Sequence, residues 1–280
     1  MLLAPRGRCG AEGHSVGNSG PESTVPPAGR GGCGAGLRPA GADAGEKRES
    51  VYDPIARIYD AWSRSVTEDV PFYLEEARRS GGPVLELGVG TGRIAVPIAC
   101  DGIGVIGVDS SPGMLEVCAE HARLAGVELE LRLGDLRDPP VDETVPLVII
   151  PFRSLLHLPV DAERRRALRA VRRLLQPQGR FIFDVFTPSR ADIEETNGVW
   201  LEREPEIFER ADWDEVARTL TLSVRGGERA STMELAWLDA TEWQALLEDE
   251  GFAIDACYGW FDRRPYSGGE DTIWVAHASA

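Results

Sequence analysis

One stretch of the sequence decides the fold: Pro83-Val84-Leu85-Glu86-Leu87-Gly88-Val89-Gly90-Thr91-Gly92-Arg93. Its apolar residues have strand character, three alternate glycines follow them, and residues 94–99 have the composition of a helix start. Glycines between a strand and a helix permit positive φ and let a ligand approach the backbone without meeting a Cβ, and the helix start presents unpaired N–H groups. The stretch therefore predicts a strand, a ligand-binding turn and a helix.

The same order of strand and helix repeats downstream of this turn. Strands are predicted over residues 104–108, 127–133, 147–150 and 181–186. One helix is predicted after the strand 104–108 and another before the strand 181–186. Such an alternation predicts a parallel sheet with helices on both faces. Two more strands, predicted over 253–260 and 272–277, close the chain.

Three further segments complete the predicted organisation. Residues 1–50 are rich in glycine and proline and predict a disordered tail, either native or the product of a start codon assigned upstream of the true one. Residues 51–280 are expected to form one domain that opens with a helix entry at Asp53-Pro54. Within it, residues 187–238 change to an antiparallel hairpin, which we interpret as an inserted lid on the ligand side of the sheet.

Composition favours a small-molecule partner. The formal net charge of −16 over 280 residues opposes binding to nucleic acid or to an anionic membrane surface. We find no apolar window of the roughly 18 residues that a membrane span needs and no signal-peptide core, so we expect a cytoplasmic protein. The five cysteines are scattered without metal-ligand spacing, which predicts reduced thiols and no metal site.

Carboxylates are predicted at the ends of three strands, namely Glu86, Asp109 and Asp135. Asp109 follows the first glycine by about 20 residues, a spacing that suits hydrogen bonds to ribose hydroxyls. That geometry fits a dinucleotide or an adenosyl ligand equally well. The glycine spacing favours the second, because a dinucleotide turn has Gly-x-Gly-x-x-Gly, whereas here the third glycine comes one residue early and Arg93 takes its place.

With these motifs the sequence resembles the class I S-adenosylmethionine-dependent methyltransferases, of the bacterial small-molecule type. Residues 84–92 match the family's first motif, Asp109 its ribose-binding acid, Gly134-Asp135-Leu136 its adenine site and residues 151–158 its fourth motif. The resemblance implies an α/β, Rossmann-like sheet of seven mostly parallel strands with the last strand antiparallel. It also implies in-line SN2 transfer of a methyl group to a nucleophilic N, O or C atom, with S-adenosylhomocysteine as product. Our leading hypothesis is transfer to N or O of a small-molecule acceptor.

The resemblance supplies two sets of site residues. We expect the cofactor to contact Glu86, Gly88, Gly90, Gly92, Arg93, Asp109, Ser110, Met114, Asp135, Leu136 and Pro151. Three candidates remain for catalysis. His157 could be the base or could orient its loop, Arg153 could bind an anionic acceptor or form a salt bridge, and Tyr59 could orient the methyl group or the acceptor.

Tyr52, Tyr59 and Trp62 are interpreted either as core residues or as part of a lid. Other functions stay open as alternatives: methylation of a macromolecule, or a module that binds the cofactor without catalysis. An NAD-linked oxidoreductase is disfavoured by the misplaced third glycine.

Overall fold

The computed structural model describes residues 50–64 and 67–279, so the predicted tail, Ser50 apart, lies outside the described residues. The strands are β1 Val84–Leu87, β2 Val105–Asp109, β3 Glu130–Leu133, β4 Val145–Ile150, β5 Leu175–Phe186, β6 Trp200–Glu204, β7 Ile207–Asp214, β8 Thr219–Gly226, β9 Arg229–Ala236, β10 Phe252–Tyr258 and β11 Asp271–Ala278. The α-helices are α1 Tyr59–Trp62, α2 Asp69–Ser80, α3 Ala95–Cys100, α4 Pro112–Ala125, α5 Asp161–Leu174, α6 Arg190–Thr196 and α7 Ala240–Asp249, and 3-10 helices span Asp53–Ile58 and Ser154–His157.

Seven strands form one sheet in the order β10-β11-β5-β4-β1-β2-β3. Strands β1 to β5 pair in parallel, and β11 is antiparallel to both of its neighbours. The predicted Rossmann-like sheet with an antiparallel last strand is confirmed. Because β1 pairs with both β2 and β4, the strand order reverses at β1, and ligands of open α/β sheets bind beyond the carboxyl ends of the strands at such a point.

Burial follows the sequence pattern in the elements around this point. All four residues of β1 are buried, as expected of a central strand covered on both faces. The N-cap of helix α4 is Ser111, whose hydroxyl accepts the Met114 N–H, and Pro112 lies in the first turn. The C-cap is Gly126, with φ +72°.

A second sheet contains β6, β7, β8 and β9 in that order, all antiparallel. The predicted hairpin corresponds to β8 and β9, but the prediction missed β6 and β7. The buried face of β7 consists of Ile207, Glu209 and Ala211, so that a carboxylate occupies the central inward position where a strand pattern requires an apolar residue. Glu209 is stabilised there by the indole N–H of Trp62 at 2.7 Å and by Arg203 at 2.7 Å.

The segment 50–62, which we call the strap, connects the two sheets. It was expected to form a helix, but most of it is 3-10 helix, followed by a single α-helical turn. The Asp53 carboxylate accepts hydrogen bonds from the Ser111 hydroxyl at 2.6 Å and the Gly113 N–H at 2.9 Å. Trp62 at its other end is bonded to the second sheet, so the strap is fixed at both ends across the carboxyl edge of the main sheet.

None of the helices in the described ranges is both long enough and apolar enough to cross a bilayer.

Candidate active site

Two cavities and a small recess at the carboxyl edge of the main sheet contain most of the predicted site residues. The first, the glycine-turn cavity, has a volume of about 390 Å³ and is bounded by the glycine turn, the start of α4, the strap and β9. The Glu86 recess adjoins it and holds about 40 Å³ between the glycine turn and residues 151–154. The loop cavity, of about 380 Å³, is bounded by the end of β5, the start of α6 and the segment 259–271.

The glycine turn has the backbone conformation that its composition predicts. Gly88, Gly90 and Gly92 have φ values of +78°, +54° and +84°. A Cβ at Gly88 would lie 2.8 Å from the Ser154 hydroxyl, and one at Gly92 would lie 2.6 Å from the Cys118 sulfur, whereas one at Gly90 would meet no protein atom within 4 Å. Gly88 and Gly92 are thus required by packing, and Gly90 leaves open space where it lines the cavity.

Asp109 closes the glycine turn from the end of β2. One carboxylate oxygen accepts the Gly90 N–H at 2.8 Å and the other accepts the Ser111 N–H at 2.8 Å. Burial raises the pKa of this carboxyl group, and the two backbone hydrogen bonds oppose the rise. Asp109 thereby connects the first motif to the start of α4 and still lines the glycine-turn cavity.

Glu86 lines the recess at the end of β1 and is only 2% exposed. Its Oε2 atom is buried and has no hydrogen-bond partner among the described residues. Burial raises the pKa of Glu86 well above its usual value, and the positive charge of Arg93 only partly offsets this. A buried carboxylate oxygen without a partner costs free energy, so this atom is suited to a ligand donor.

Arg93 forms the wall of the recess next to Glu86. Its guanidinium donates to both oxygens of Asp69, at 2.7 and 2.6 Å, and lies 4.7 Å from the centre of the Phe152 ring. The ion pair raises the pKa of Arg93 although burial acts in the opposite direction. Asp69 was not predicted from the sequence, and it holds Arg93 in place from α2.

The segment after β4 has an unusual backbone. Phe152 and Arg153 both have positive φ, +54° and +66°, a conformation that is costly for residues with a Cβ. The buried Asp184 stabilises the bend, because its Oδ1 accepts the Phe152 N–H at 2.9 Å and the Tyr73 hydroxyl at 2.6 Å. Burial raises the pKa of Asp184 to about 6, against the effect of the Tyr73 hydrogen bond.

His157 faces the glycine-turn cavity, and its Nε2 lies 2.7 Å from the Tyr52 hydroxyl. Burial lowers the pKa of His157 to about 4, and the nearby backbone of Glu234 opposes this, so the imidazole is neutral near pH 7. In a neutral ring protonated on Nδ1, Nε2 accepts the Tyr52 hydroxyl. His157 therefore joins the strap to the segment after β4.

The structure brings together most of the site residues that the sequence predicted. The glycine-turn cavity is lined by Tyr59, Gly88, Gly90, Asp109, Ser110, Met114, Leu136 and His157, and the recess by Glu86, Arg93 and Pro151. Gly92 lies in the turn but lines neither space.

Two predicted residues are placed elsewhere. The Asp135 carboxylate accepts the N–H, Nε and Nη2 of Arg137 and does not line the glycine-turn cavity, although Gly134 and Leu136 do. Arg153 donates to Asp271 at 2.6 Å and lies 4.6 Å from the centre of the Phe186 ring, so it lines the loop cavity. Of its two expected roles, Arg153 fulfils the salt bridge.

Sequence reasoning missed several residues that line the glycine-turn cavity. Phe152 and Ser154 lie in the fourth motif but were not singled out, Met233 lies in no motif, and Tyr52 was assigned only to a core or a lid. Tyr52 could have been found from its position, because it directly precedes Asp53 at the predicted helix entry. In the structure Asp53 is hydrogen-bonded to Ser111 at the start of α4, and this places Tyr52 at the cavity. For Met233 no such signal exists, because its position depends on how the second sheet packs.

These residues fit the cofactor that the resemblance implies. Gly90 leaves room for a ligand against the backbone, and Asp109 presents a carboxylate to the cavity. The unpartnered Oε2 of Glu86 provides an acceptor for an ammonium group. No group of three or more His, Cys, Asp or Glu side chains that could hold a metal ion occurs within the described ranges.

Comparisons with known proteins find methyltransferases among the relatives of this chain. A family profile described as a methyltransferase domain matches residues 84–179, which include the glycine turn and strands β1 to β4. A demethylmenaquinone methyltransferase of Clavibacter sepedonicus is 26% identical over 214 residues, which are 73% of this chain and 81% of the relative.

Among solved structures, the CcbJ methyltransferase of Streptomyces caelestis is 28% identical, with a TM-score of 0.70 over 83% of this chain and 99% of that one. An S-adenosylmethionine-dependent methyltransferase of Clostridium acetobutylicum has the same fold, with a TM-score of 0.69 at 17% identity over 82% of this chain and all of that one. Together with the sheet order and the glycine turn, these matches identify the chain as a class I S-adenosylmethionine-dependent methyltransferase.

Proposed function

We propose that the protein transfers the methyl group of S-adenosylmethionine to a nitrogen or oxygen atom of a small-molecule acceptor. The observation that carries the proposal is the loop cavity beside the cofactor site. Phe152 lines the glycine-turn cavity and the next residue, Arg153, lines the loop cavity, so the two spaces are neighbours. A volume of about 380 Å³ is in the range of small-molecule pockets.

The residues around the glycine turn would hold the cofactor. Glu86 would accept a hydrogen bond from its amino group, since Oε2 has no other partner among the described residues. Asp109 would accept from the ribose hydroxyls, while Met114 and Leu136 would pack against the adenine. When bound, S-adenosylmethionine supplies an electrophilic methyl group attached to a positively charged sulfonium. The sulfur leaves as a neutral thioether, so no general acid is needed to protonate the leaving group.

The contribution of the protein is therefore alignment and exclusion of water. The strap covers the glycine-turn cavity with Tyr52 and Tyr59, whose rings lie edge to face at 5.8 Å. Tyr59 also contacts the Phe152 ring, at 6.4 Å between centres. Since burial raises the pKa of Tyr59, its hydroxyl stays protonated and can orient the acceptor as a donor.

Proton removal would pass through the Tyr52–His157 pair. In the tautomer protonated on Nδ1, Nε2 accepts the Tyr52 hydroxyl 2.7 Å away, so a proton from an acceptor would reach His157 by way of Tyr52. The low pKa of His157 makes it a weak base, which suits a transfer in which the acceptor loses its proton late.

A second candidate function is methylation of demethylmenaquinone. Its support is the similarity to the demethylmenaquinone methyltransferase of Clavibacter sepedonicus. Methylation of a macromolecule is less well supported, because the net charge of −16 opposes nucleic acid and the loop cavity is small.

The proposal is tested by following the methyl group. The protein would be incubated with methyl-tritiated S-adenosylmethionine and, separately, with the low-molecular-mass and the macromolecular fractions of a bacterial extract. We expect label in the low-molecular-mass fraction and in an N- or O-methylated product. Label confined to protein or nucleic acid would contradict the proposal, and a C-methylated quinone would support the second candidate instead.

The same assay tests the candidate catalytic residues. Tyr59→Phe and His157→Ala are expected to lower turnover by about tenfold or more while sparing the affinity for S-adenosylhomocysteine. His277→Ala is the matched control, because this histidine pairs with Asp255 at the far edge of the sheet. Wild-type rates in Tyr59→Phe and His157→Ala would remove both residues from the mechanism.

A further inference from the structure

The loop cavity combines aromatic walls with acidic groups. The Phe186 ring is buried at its base, and the indole of Trp260 is partly exposed in the segment 259–271. Three carboxylates line the same space, those of Asp192, Glu270 and Asp271. Their arrangement relative to the two arginines of the cavity decides what kind of molecule it can bind.

One side of the cavity is internally neutral. The Arg153 guanidinium is paired with Asp271 at 2.6 Å and lies over the Phe186 ring, so both its charge and one of its faces are engaged. Arg264, the other arginine of the wall, has a side chain that is 62% exposed and lies 3.8 Å from Asp262. Neither guanidinium is paired with the remaining two acids of the cavity.

The opposite side carries an acid pair. Asp192, in the first turn of α6, and Glu270, at the end of the segment 259–271, both line the cavity. Partial burial and then the proximity of Asp192 raise the pKa of Glu270. The Asp192 carboxylate accepts from the Ser189 N–H and hydroxyl in the capping box of α6, and within residues 50–64 and 67–279 neither acid forms an ion pair with an arginine, lysine or histidine.

The walls that present this pair are fixed in place. The Thr187 N–H donates to the Glu270 carbonyl at 2.8 Å, which joins the segment 259–271 to the end of β5. Arg263 of the same segment lies 4.6 Å from the centre of the Phe72 ring and pairs with the buried Glu76 of α2. The acid pair is therefore held across a preformed cavity and does not depend on a mobile side chain from elsewhere.

We propose that the loop cavity recognises the acceptor through a protonated amine, which lies between the Asp192–Glu270 pair and the Trp260 ring. An ammonium group supplies the cation that the pair lacks, and an indole face stabilises a cation further. Neutral alcohols lack the charge, and carboxylates would be repelled by the pair. This inference rests on the proposed function, because it names the class of acceptor for the same site.

Binding of three matched probes tests the inference. In the presence of S-adenosylhomocysteine, calorimetric titration would compare 2-phenylethylamine, 2-phenylethanol and phenylacetate, which share a ring and differ in charge. We expect the amine to bind at least ~10-fold more tightly than the other two, as a charge-assisted hydrogen bond provides. Equal affinities, a preference for the alcohol or the acid, or no measurable binding of the amine would each overturn the inference.

Two substitutions locate the effect. Asp192→Asn and Glu270→Gln should each lower the amine affinity several-fold and leave S-adenosylhomocysteine binding unchanged. Glu194→Gln is the matched control, because this residue lies on the same helix, pairs with Arg190 at 2.8 Å and is 66% exposed. If Glu194→Gln has the same effect as Asp192→Asn, the preference is general electrostatics and the inference fails.

The outcome separates this inference from the proposed function. If the low-molecular-mass product in the label assay is an O-methylated neutral compound, the proposed function stands and the amine preference is wrong. If label enters only macromolecules, the proposed function fails as well.

Discussion

Replacing Gly90 by alanine is expected to remove cofactor binding while the protein stays folded. The new methyl group would meet no protein atom within 4 Å, so it would enter the space of the glycine-turn cavity and the Glu86 recess, which Gly90 lines. Its positive φ of +54° adds a backbone cost of about 1–2 kcal/mol. We expect a modest fall in the melting temperature and an increase of about 100-fold or more in the Kd for S-adenosylhomocysteine, measured by calorimetry.

Gly227→Ala provides the control for this prediction. Gly227 lies between β8 and β9, has a φ of +59°, and a Cβ there would also meet nothing within 4 Å. The two substitutions therefore share their backbone strain and their lack of clashes, and differ in whether the residue lines the cavity. If both weakened S-adenosylhomocysteine binding equally, the loss would reflect strain in the fold, and the cofactor would have to be placed elsewhere.

Glu86→Gln is expected to have opposite effects on stability and on binding. Burial holds the pKa of Glu86 above its unfolded value, so this carboxyl group lowers the stability of the fold at neutral pH, and the cost is absent at a pH low enough to protonate it in both states. Glutamine removes the titratable group at nearly constant shape and should raise the melting temperature. The same change removes the anionic acceptor for the cofactor's ammonium group, which should weaken S-adenosylhomocysteine binding by about 10- to 100-fold.

Thermal unfolding and calorimetry on one preparation would measure both effects. Glu128→Gln, an exposed carboxylate outside the cavity, serves as the control for the change in net charge. A Glu86→Gln protein with unchanged affinity for S-adenosylhomocysteine would show that Oε2 does not contact the cofactor. A protein that is less stable than the wild type would show that the carboxylate has a structural partner after all.

The main sheet and the glycine turn could be predicted from the sequence because their signals are local. Strand period, alternate glycines and the acid at the end of β2 lie within short windows, and each specifies its own geometry. The same locality explains why Gly88, Gly90, Asp109 and Leu136, all predicted from these motifs, line one cavity. Only two of the four strands of the second sheet were predicted. Strand β7 has a glutamate, Glu209, at an inward position, and this residue is tolerated there because Trp62, 147 positions away, donates a hydrogen bond to it.

The remaining parts of the site arise from contacts between distant residues. Tyr52 and His157 are 105 positions apart, and their hydrogen bond exists only because the strap crosses the edge of the main sheet. Arg153 and Asp271 are 118 positions apart, which is why the salt bridge could be proposed but its partner could not be named. The loop cavity has no motif, because its walls come from β5, α6 and the segment 259–271.

Binding of S-adenosylmethionine at the glycine turn can be tested by titrating the wild-type protein with two ligands. Calorimetry with S-adenosylhomocysteine and, separately, with NADH distinguishes an adenosyl site from a dinucleotide site on the same kind of strand–turn–helix. We expect one S-adenosylhomocysteine bound per chain in the micromolar range and no binding of NADH. Tight binding of NADH without binding of S-adenosylhomocysteine would show that the glycine turn is a dinucleotide site.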